Sequence, residues 1–151
     1  MNENDRPEIE ELRPDTTIRV DSFFALFRQW NKTHAFDKAL FARTLKMLGA
    51  YDSRVFIAKE GEKIIGYVQI NRCLQVGFEP YIEITQLLIS RDRQRRGIGT
   101  RLMQKAEEIA RAEGFSRVKL ESEIQRPDSH LFYENIGYKL QKTSKFFEKR
   151  I

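Results

Sequence analysis

Two helical stripes dominate the first third of the chain. Phe23, Phe24, Leu26, Phe27 and Trp30 recur at helical spacing, and Leu40, Phe41, Leu45 and Leu48 repeat the pattern after Asp37, a residue type suited to capping a helix start. Ahead of them, residues 9–14 predict a short strand stopped by Pro14. The period then changes. Residues 55–70 hold two β-branched and aromatic runs around a Glu60-Gly61-Glu62 turn, which predicts a hairpin, with Gly66 marking a bulge. Residues 81–90 predict another strand. Strict alternation there puts Glu83, Thr85, Leu87 and Ile89 on one face and Ile82, Ile84, Gln86 and Leu88 on the other.

From Ile98, apolar side chains at Leu102, Met103, Ala106, Ile109 and Ala110 describe one face of a helix that ends at Gly114. Residues 117–122 return as a strand, Asp128 is expected to cap a short helix that runs through Asn135 to Gly137, and the remaining residues predict two closing strands. The expected class is therefore α/β, with a mixed sheet and helices on its faces.

Composition narrows the reading. A length of 151 residues predicts one domain, 1–151, able to bury a core without disulfides or metals. No basic-flanked apolar leader opens the chain and no run of about 18 apolar residues occurs, which predicts a soluble, cytoplasmic protein with no membrane partner. Cys73 is the only cysteine, so an internal disulfide and a multi-thiolate zinc site are excluded. The net charge of +5 is unevenly spread: residues 91–101 carry five arginines against Asp92, and residues 139–151 are also basic. Such patches serve nucleic acid or a phosphorylated small molecule. No helix-turn-helix or RNA-recognition signature is present, which disfavours nucleic acid.

Residues 94–103, QRRGIGTRLM, place two arginines and two glycines between a strand and a helix. Glycine permits a ligand to approach the backbone, a helix start offers unpaired N–H groups to an anion, and arginine adds charged donors. The junction is suited to phosphate. A P-loop would need Lys-Ser or Lys-Thr after its second glycine, whereas Thr100-Arg101 follows Gly99; a dinucleotide fingerprint would need a third glycine where Leu102 stands. A basic turn with glycines used only for geometry remains the alternative.

Gln94, Arg95, Arg96, Gly97, Ile98 and Gly99 match the Q/R-x-x-G-x-G/A motif, and the chain resembles the GNAT superfamily of acetyl-CoA-dependent N-acetyltransferases. EITQLLIS (83–90) is similar to the corresponding strand of histone acetyltransferases; RPDSHLFYENIGY (126–138) and SKFFEKRI (144–151) are closer to bacterial members that act on small amines. The likeness spans roughly residues 53–151, and the first fifty residues match only in their strand–helix–helix plan. It implies a central, mostly antiparallel mixed sheet of six to seven strands flanked by about four helices.

By this resemblance, backbone groups of Gln94, Arg95, Arg96, Gly97, Ile98, Gly99 and Thr100 hold the coenzyme A pyrophosphate. Leu87, Leu88 and Ile89 run beside the pantetheine arm, with Phe132 and Arg126 also facing the cofactor. Arg126, followed by Pro127, stands where many members carry an asparagine. No metal is implied, and the protein is expected to be a monomer or a homodimer.

Acetyl transfer to an amine needs a base, because an alkylammonium with a pKa of about 10 is mostly protonated at neutral pH. Glu83 matches the general base of the histone acetyltransferases, acting directly or through water, with an apolar Ile and Phe wall expected around it. A backbone N–H near Leu88 is the expected oxyanion donor, and Tyr133 matches the acid that protonates the departing thiolate, with Ser129, Ser122 and His130 as substitutes. Trp30 and His34, in the connection between the first two helices, are candidate acceptor contacts. The acceptor expected is a primary amine of a small molecule; the rivals are a protein lysine or N-terminus, and a non-catalytic acyl-CoA sensor.

Overall fold

The structure, a computed structural model, describes residues 6–31 and 33–151. The chain divides into two compact units, Met1–Glu121 and Ser122–Ile151. In the first, the predicted runs become a five-stranded sheet in the order β1 (Glu8–Glu11), β2 (Ser53–Glu60), β3 (Lys63–Cys73), β4 (Tyr81–Ile89) and β5 (Val118–Leu120). Neighbours are antiparallel except β4 and β5, which run parallel, so the class is a mixed α/β sheet.

Two cores cover its two faces. On one, helices α1 (Val20–Phe27) and α2 (Lys38–Met47) seat Phe23, Leu26 and Phe41 against Val55, Ile57 and Tyr67, all buried. Phe23 meets Phe41 and Tyr67 edge-on at 5.1 and 5.0 Å, the geometry aromatic quadrupoles favour. On the other, helix α3 (Ile98–Ala112) buries Leu102, Met103, Ala106 and Ala110. It lies close because β3 carries Gly66 there: a Cβ at that position would stand 2.9 Å from the Ile89 Cδ1 and 3.3 Å from a Leu102 methyl. The expected bulge is beside this glycine, where the register skips Ile65 between Ala58 and Lys59.

Local signals explain the helix ends. The Asp37 carboxylate accepts the N–H groups of Ala39 (2.8 Å) and Leu40 (3.1 Å), as an N-cap should. Gly114 closes α3 at φ +82°. The second unit holds α4 (Pro127–Asn135), and here the expected cap is corrected: Arg126 is the capping position, Pro127 opens the first turn, and Asp128 lies inside it.

The expectation of six to seven strands is also corrected. Residues 139–151 carry no strand and are exposed, including Phe146 and Phe147. A strand-favouring sequence becomes a strand only where a neighbouring backbone accepts its hydrogen bonds, and no strand of this unit lies beside it.

Candidate active site

Strand β4 departs from strict alternation. Against β3, Gln69 pairs with Gln86 and Ile70 with Ile84, so Thr85 is an extra residue and the parity of the strand flips there. Glu83, aligned with Asn71, shares the α1–α2 face with Gln86 and Leu88, aligned with Gln69 and Tyr67. Leu87 and Ile89, aligned with Val68 and Gly66, share the α3 face with Ile82 and Ile84. The expected face of Glu83, Thr85, Leu87 and Ile89 therefore does not exist; one inserted residue separates the carboxylate from the apolar pair.

The bulge also divides the outer edge of β4. Up to Ile84 the strand is paired on both sides, and Ile82 donates its N–H to the Arg117 carbonyl at 3.1 Å. Beyond Ile84 the register with β5 ends. The Ser90 N–H reaches back to the Ile65 carbonyl (2.8 Å), which by alternation turns the Leu88 backbone toward β3 and those of Leu87 and Ile89 toward the open edge. Leu87 and Ile89, and not Leu88, thus turn their backbone groups toward this edge. The Gln94 amide already donates to the Ile89 carbonyl at 3.4 Å.

The following loop is shaped for an anion. Arg95 and Gly97 adopt left-handed φ of 60° and 77°, and no side chain caps the start of α3. Without a cap, the first N–H groups of the helix, including those of Ile98, Gly99 and Thr100, depend on water or a ligand. A Cβ on Gly97 would meet nothing within 4 Å, so glycine serves here for its φ rather than for space. Of the five arginines, Arg91 bonds the Gln29 carbonyl, Arg93 pairs with Glu60 and Asp92, and Arg101 bonds the Pro7 carbonyl. Arg95 and Arg96 are exposed and make no hydrogen bond or ion pair among the described residues. These two are the arginines available to a phosphate.

Glu83 is half-buried, and the residues bonded to it or aligned with it are polar. The Cys73 thiol donates to its Oε2 at 3.4 Å, Asn71 stands opposite it and Lys119 beside it on β5. Burial pushes the Cys73 thiol up, and the hydrogen bond and charge of Glu83 add to that, so the cysteine stays protonated and able to donate. Asn71 in turn accepts from the Ser53 hydroxyl at 2.9 Å. Further along the same face the Tyr67 hydroxyl donates to Gln86 at 2.9 Å, and burial raises its pKa far above the usual tyrosine value. Trp30 ends a 3-10 turn and is half-buried; His34 is exposed, its ring 4.5 Å from that of Phe36.

In the second unit, Tyr133 lies on α4 between the rings of Phe132 (5.2 Å) and Tyr138 (6.2 Å). Burial pushes its hydroxyl up, against the opposing charge of Arg126. Arg126 itself pairs with Glu123 at 3.3 Å, and the His130 ring contacts the Glu123 carbonyl at 2.8 Å.

Sequence reasoning missed several polar residues. Gln86 interrupts an apolar strand and so carried a visible signal; Asn71, Ser53 and Gln29 looked like ordinary surface. Between α1 and the end of β4 opens a cavity of about 380 Å³, lined among others by Ser22, Gln29, Lys63 and Ser90. Glu83 is not part of it. Among the described residues no cluster of three or more His, Cys, Asp or Glu could hold a metal ion, and no helix is long and apolar enough to cross a membrane.

The Acetyltransferase (GNAT) family model matches residues 14–138, across both units. An aminoalkylphosphonate N-acetyltransferase of Salmonella typhimurium (strain LT2) is 30% identical over 134 residues, covering 85% of this chain and 84% of that protein. Among solved structures, a transcriptional regulator from Bacillus halodurans C-125 superposes with a TM-score of 0.82 at 20% identity, covering 95% of this chain and 99% of that one. The aminoglycoside N-acetyltransferase AAC(6')-Iy in complex with CoA gives a TM-score of 0.78 at 17% identity, covering 96% and 95%.

Proposed function

We propose that this chain, which belongs to the GNAT acetyltransferase family and is an acetyl-CoA-dependent N-acetyltransferase, acetylates a small-molecule primary amine of the aminoalkylphosphonate class. The observation that carries the cofactor half of this reading is the junction after β4. It combines an open strand edge at Leu87 and Ile89, an uncapped helix start, left-handed backbone at Arg95 and Gly97, and two unpaired arginines. These features fit a pyrophosphate with an extended arm: N–H groups and charge for the first, a strand edge for the second. The acceptor class rests on the Salmonella relative, whose identity exceeds that of the aminoglycoside enzyme.

Glu83 removes a proton from the ammonium group, directly or through water, and the freed lone pair attacks the thioester carbonyl. The N–H of Leu87 or Ile89, fixed by the sheet before the reaction begins, donates to the oxyanion as the C–N bond forms. The C–S bond then breaks, Tyr133 gives its proton to the departing thiolate, and the second proton lost by the nitrogen, directly or through water, restores the Tyr133 hydroxyl. A hydroxyl whose pKa is raised by burial remains protonated at neutral pH and so retains the proton it must deliver. The Cys73 thiol, hydrogen-bonded to Glu83 Oε2, holds the carboxylate in place without entering the reaction.

The test is release of free coenzyme A thiol from acetyl-CoA with short aminoalkylphosphonates, aminoglycosides and lysine peptides offered in parallel. Turnover with the phosphonates supports the reading. Turnover confined to peptides would replace it with a protein acetyltransferase, and coenzyme A binding without turnover on any amine would leave an acyl-CoA sensor.

A further inference from the structure

The root of the coenzyme loop is tied to α1 through one residue. Gln29, in the 3-10 turn Arg28–Trp30 that extends α1, lies 62 residues before the loop yet bonds it three ways. Its Oε1 accepts the Arg91 N–H at 2.9 Å, its Nε2 donates to the Ser90 hydroxyl at 3.3 Å, and its carbonyl accepts the Arg91 guanidinium at 3.2 Å. The orientation of the amide follows from the partners, because a backbone N–H can only donate. The Ser90 hydroxyl donates a hydrogen bond to the Asp92 carboxylate at 2.6 Å, and Asp92 pairs with Arg93 and Lys63. Arg93 in turn pairs with Glu60 at the end of β2. Ser90 is buried and its two side-chain bonds are partly so, whereas the Arg91 bonds lie at the surface.

Building on the cofactor reading above, we propose that Gln29 is a positioning residue that pre-orders the coenzyme loop. It touches neither the cofactor nor the reacting atoms. Four residues beyond Arg91, Arg95 holds a left-handed φ of 60°, a conformation unfavourable to a non-glycine residue that persists only where the surroundings over-determine it. With the loop root fixed to α1 and β3 before binding, the ordering cost is met in folding, and coenzyme affinity gains by the same amount. The strap also joins the cofactor loop to α1, the element that leads into Trp30 and His34, the candidate acceptor contacts.

Calorimetric titration with coenzyme A, paired with amide hydrogen exchange of the free protein, tests this. Gln29→Met preserves the length and bulk of the side chain and removes both amide bonds. The expected result is a Kd for coenzyme A raised about tenfold, faster exchange at the Arg91 N–H, and kcat at saturating acetyl-CoA within about twofold of wild type. Gln29→Glu, which keeps an acceptor for the Arg91 N–H, should recover part of the affinity. Wild-type affinity in Gln29→Met would mean that the side chain only fills space, and would overturn the proposal while leaving the acetyltransferase reading intact. A wild-type protein that fails to bind coenzyme A would remove the cofactor reading of the loop, and the proposal with it.

Discussion

The two halves of β4 share one strand and do different work. From Ile82 to Ile84 the backbone is paired with β3 and β5, and the half offers a side chain, the Glu83 carboxylate. From Gln86 to Ile89 it is paired with β3 alone, and the half offers backbone, the groups of Leu87 and Ile89. Thr85 separates them. Without the extra residue, Glu83 would share the face of Leu87 and Ile89, packed toward α3, where the Leu102 and Met103 side chains are buried. A bulge thus lets one strand present a carboxylate to the α1–α2 face and a hydrogen-bonding edge beside it.

Removing Thr85 is the most direct way to break that contrast. If Leu87 and Ile89 keep their face, the deletion turns Glu83 into the apolar core and Ile82 and Ile84 out of it together, and an uncompensated buried charge or lost core costs about 3–5 kcal/mol. Denaturant titration should therefore show a markedly lower midpoint, and a deletion variant as stable as wild type would mean that the two halves are not held apart by the bulge. Glu83→Gln tests the front half alone: kcat should fall by a factor of about 10²–10³ with the coenzyme A Kd unchanged, the signature of a group that acts only on the proton.

Gly97→Val tests the extension of the back half. A β-branched residue at φ +77° is strained, so the turn must relax, and coenzyme A affinity should fall by roughly ten- to a hundredfold in calorimetry with little change in Glu83-dependent chemistry. The smallest effect lies where the halves meet. Tyr67 donates to Gln86, the first residue after the bulge, and burial holds its hydroxyl proton in the folded state. Its raised pKa contributes stability that is complete below the unfolded tyrosine value of about 10 and is lost as pH rises above it. Between that pH and the folded value, Tyr67→Phe should lessen the decline of stability by about 1.4 kcal/mol per pH unit, measured by urea titration at several alkaline pH values. Parallel slopes for the two proteins would show that Tyr67 ionises freely.

Much of the fold was legible because its elements are written in local periods. The α1 and α2 stripes, the Asp37 cap, the Gly61 turn and the α3 face appear where the pattern placed them. The Thr85 bulge was not legible: periodicity reports which residues are apolar, and Leu87 and Leu88 are equally so, whichever side each faces. The closing strands failed for the opposite reason. Residues 139–151 hold the aromatic pair Phe146 and Phe147, a residue type that strands favour, but pairing is a property of two segments and no residue choice in one of them supplies the other. In the loop, the sequence displayed five arginines alike, whereas the fold commits three to Gln29, Glu60, Asp92 and Pro7 and leaves Arg95 and Arg96.

What the sequence determined by itself is the chemistry on offer: a glycine turn between strand and helix, a carboxylate on the strand before it, a tyrosine on a late helix, and the family they mark. Those depend on residue identity and short spacing, which are one-dimensional. What only the tertiary structure decided is aim: which face Glu83 occupies, which backbone groups of β4 turn toward the open edge, and that Gln29 holds the loop from 62 residues away. Aim depends on register and on contacts between distant segments, and one inserted residue changes it without changing the composition of the site.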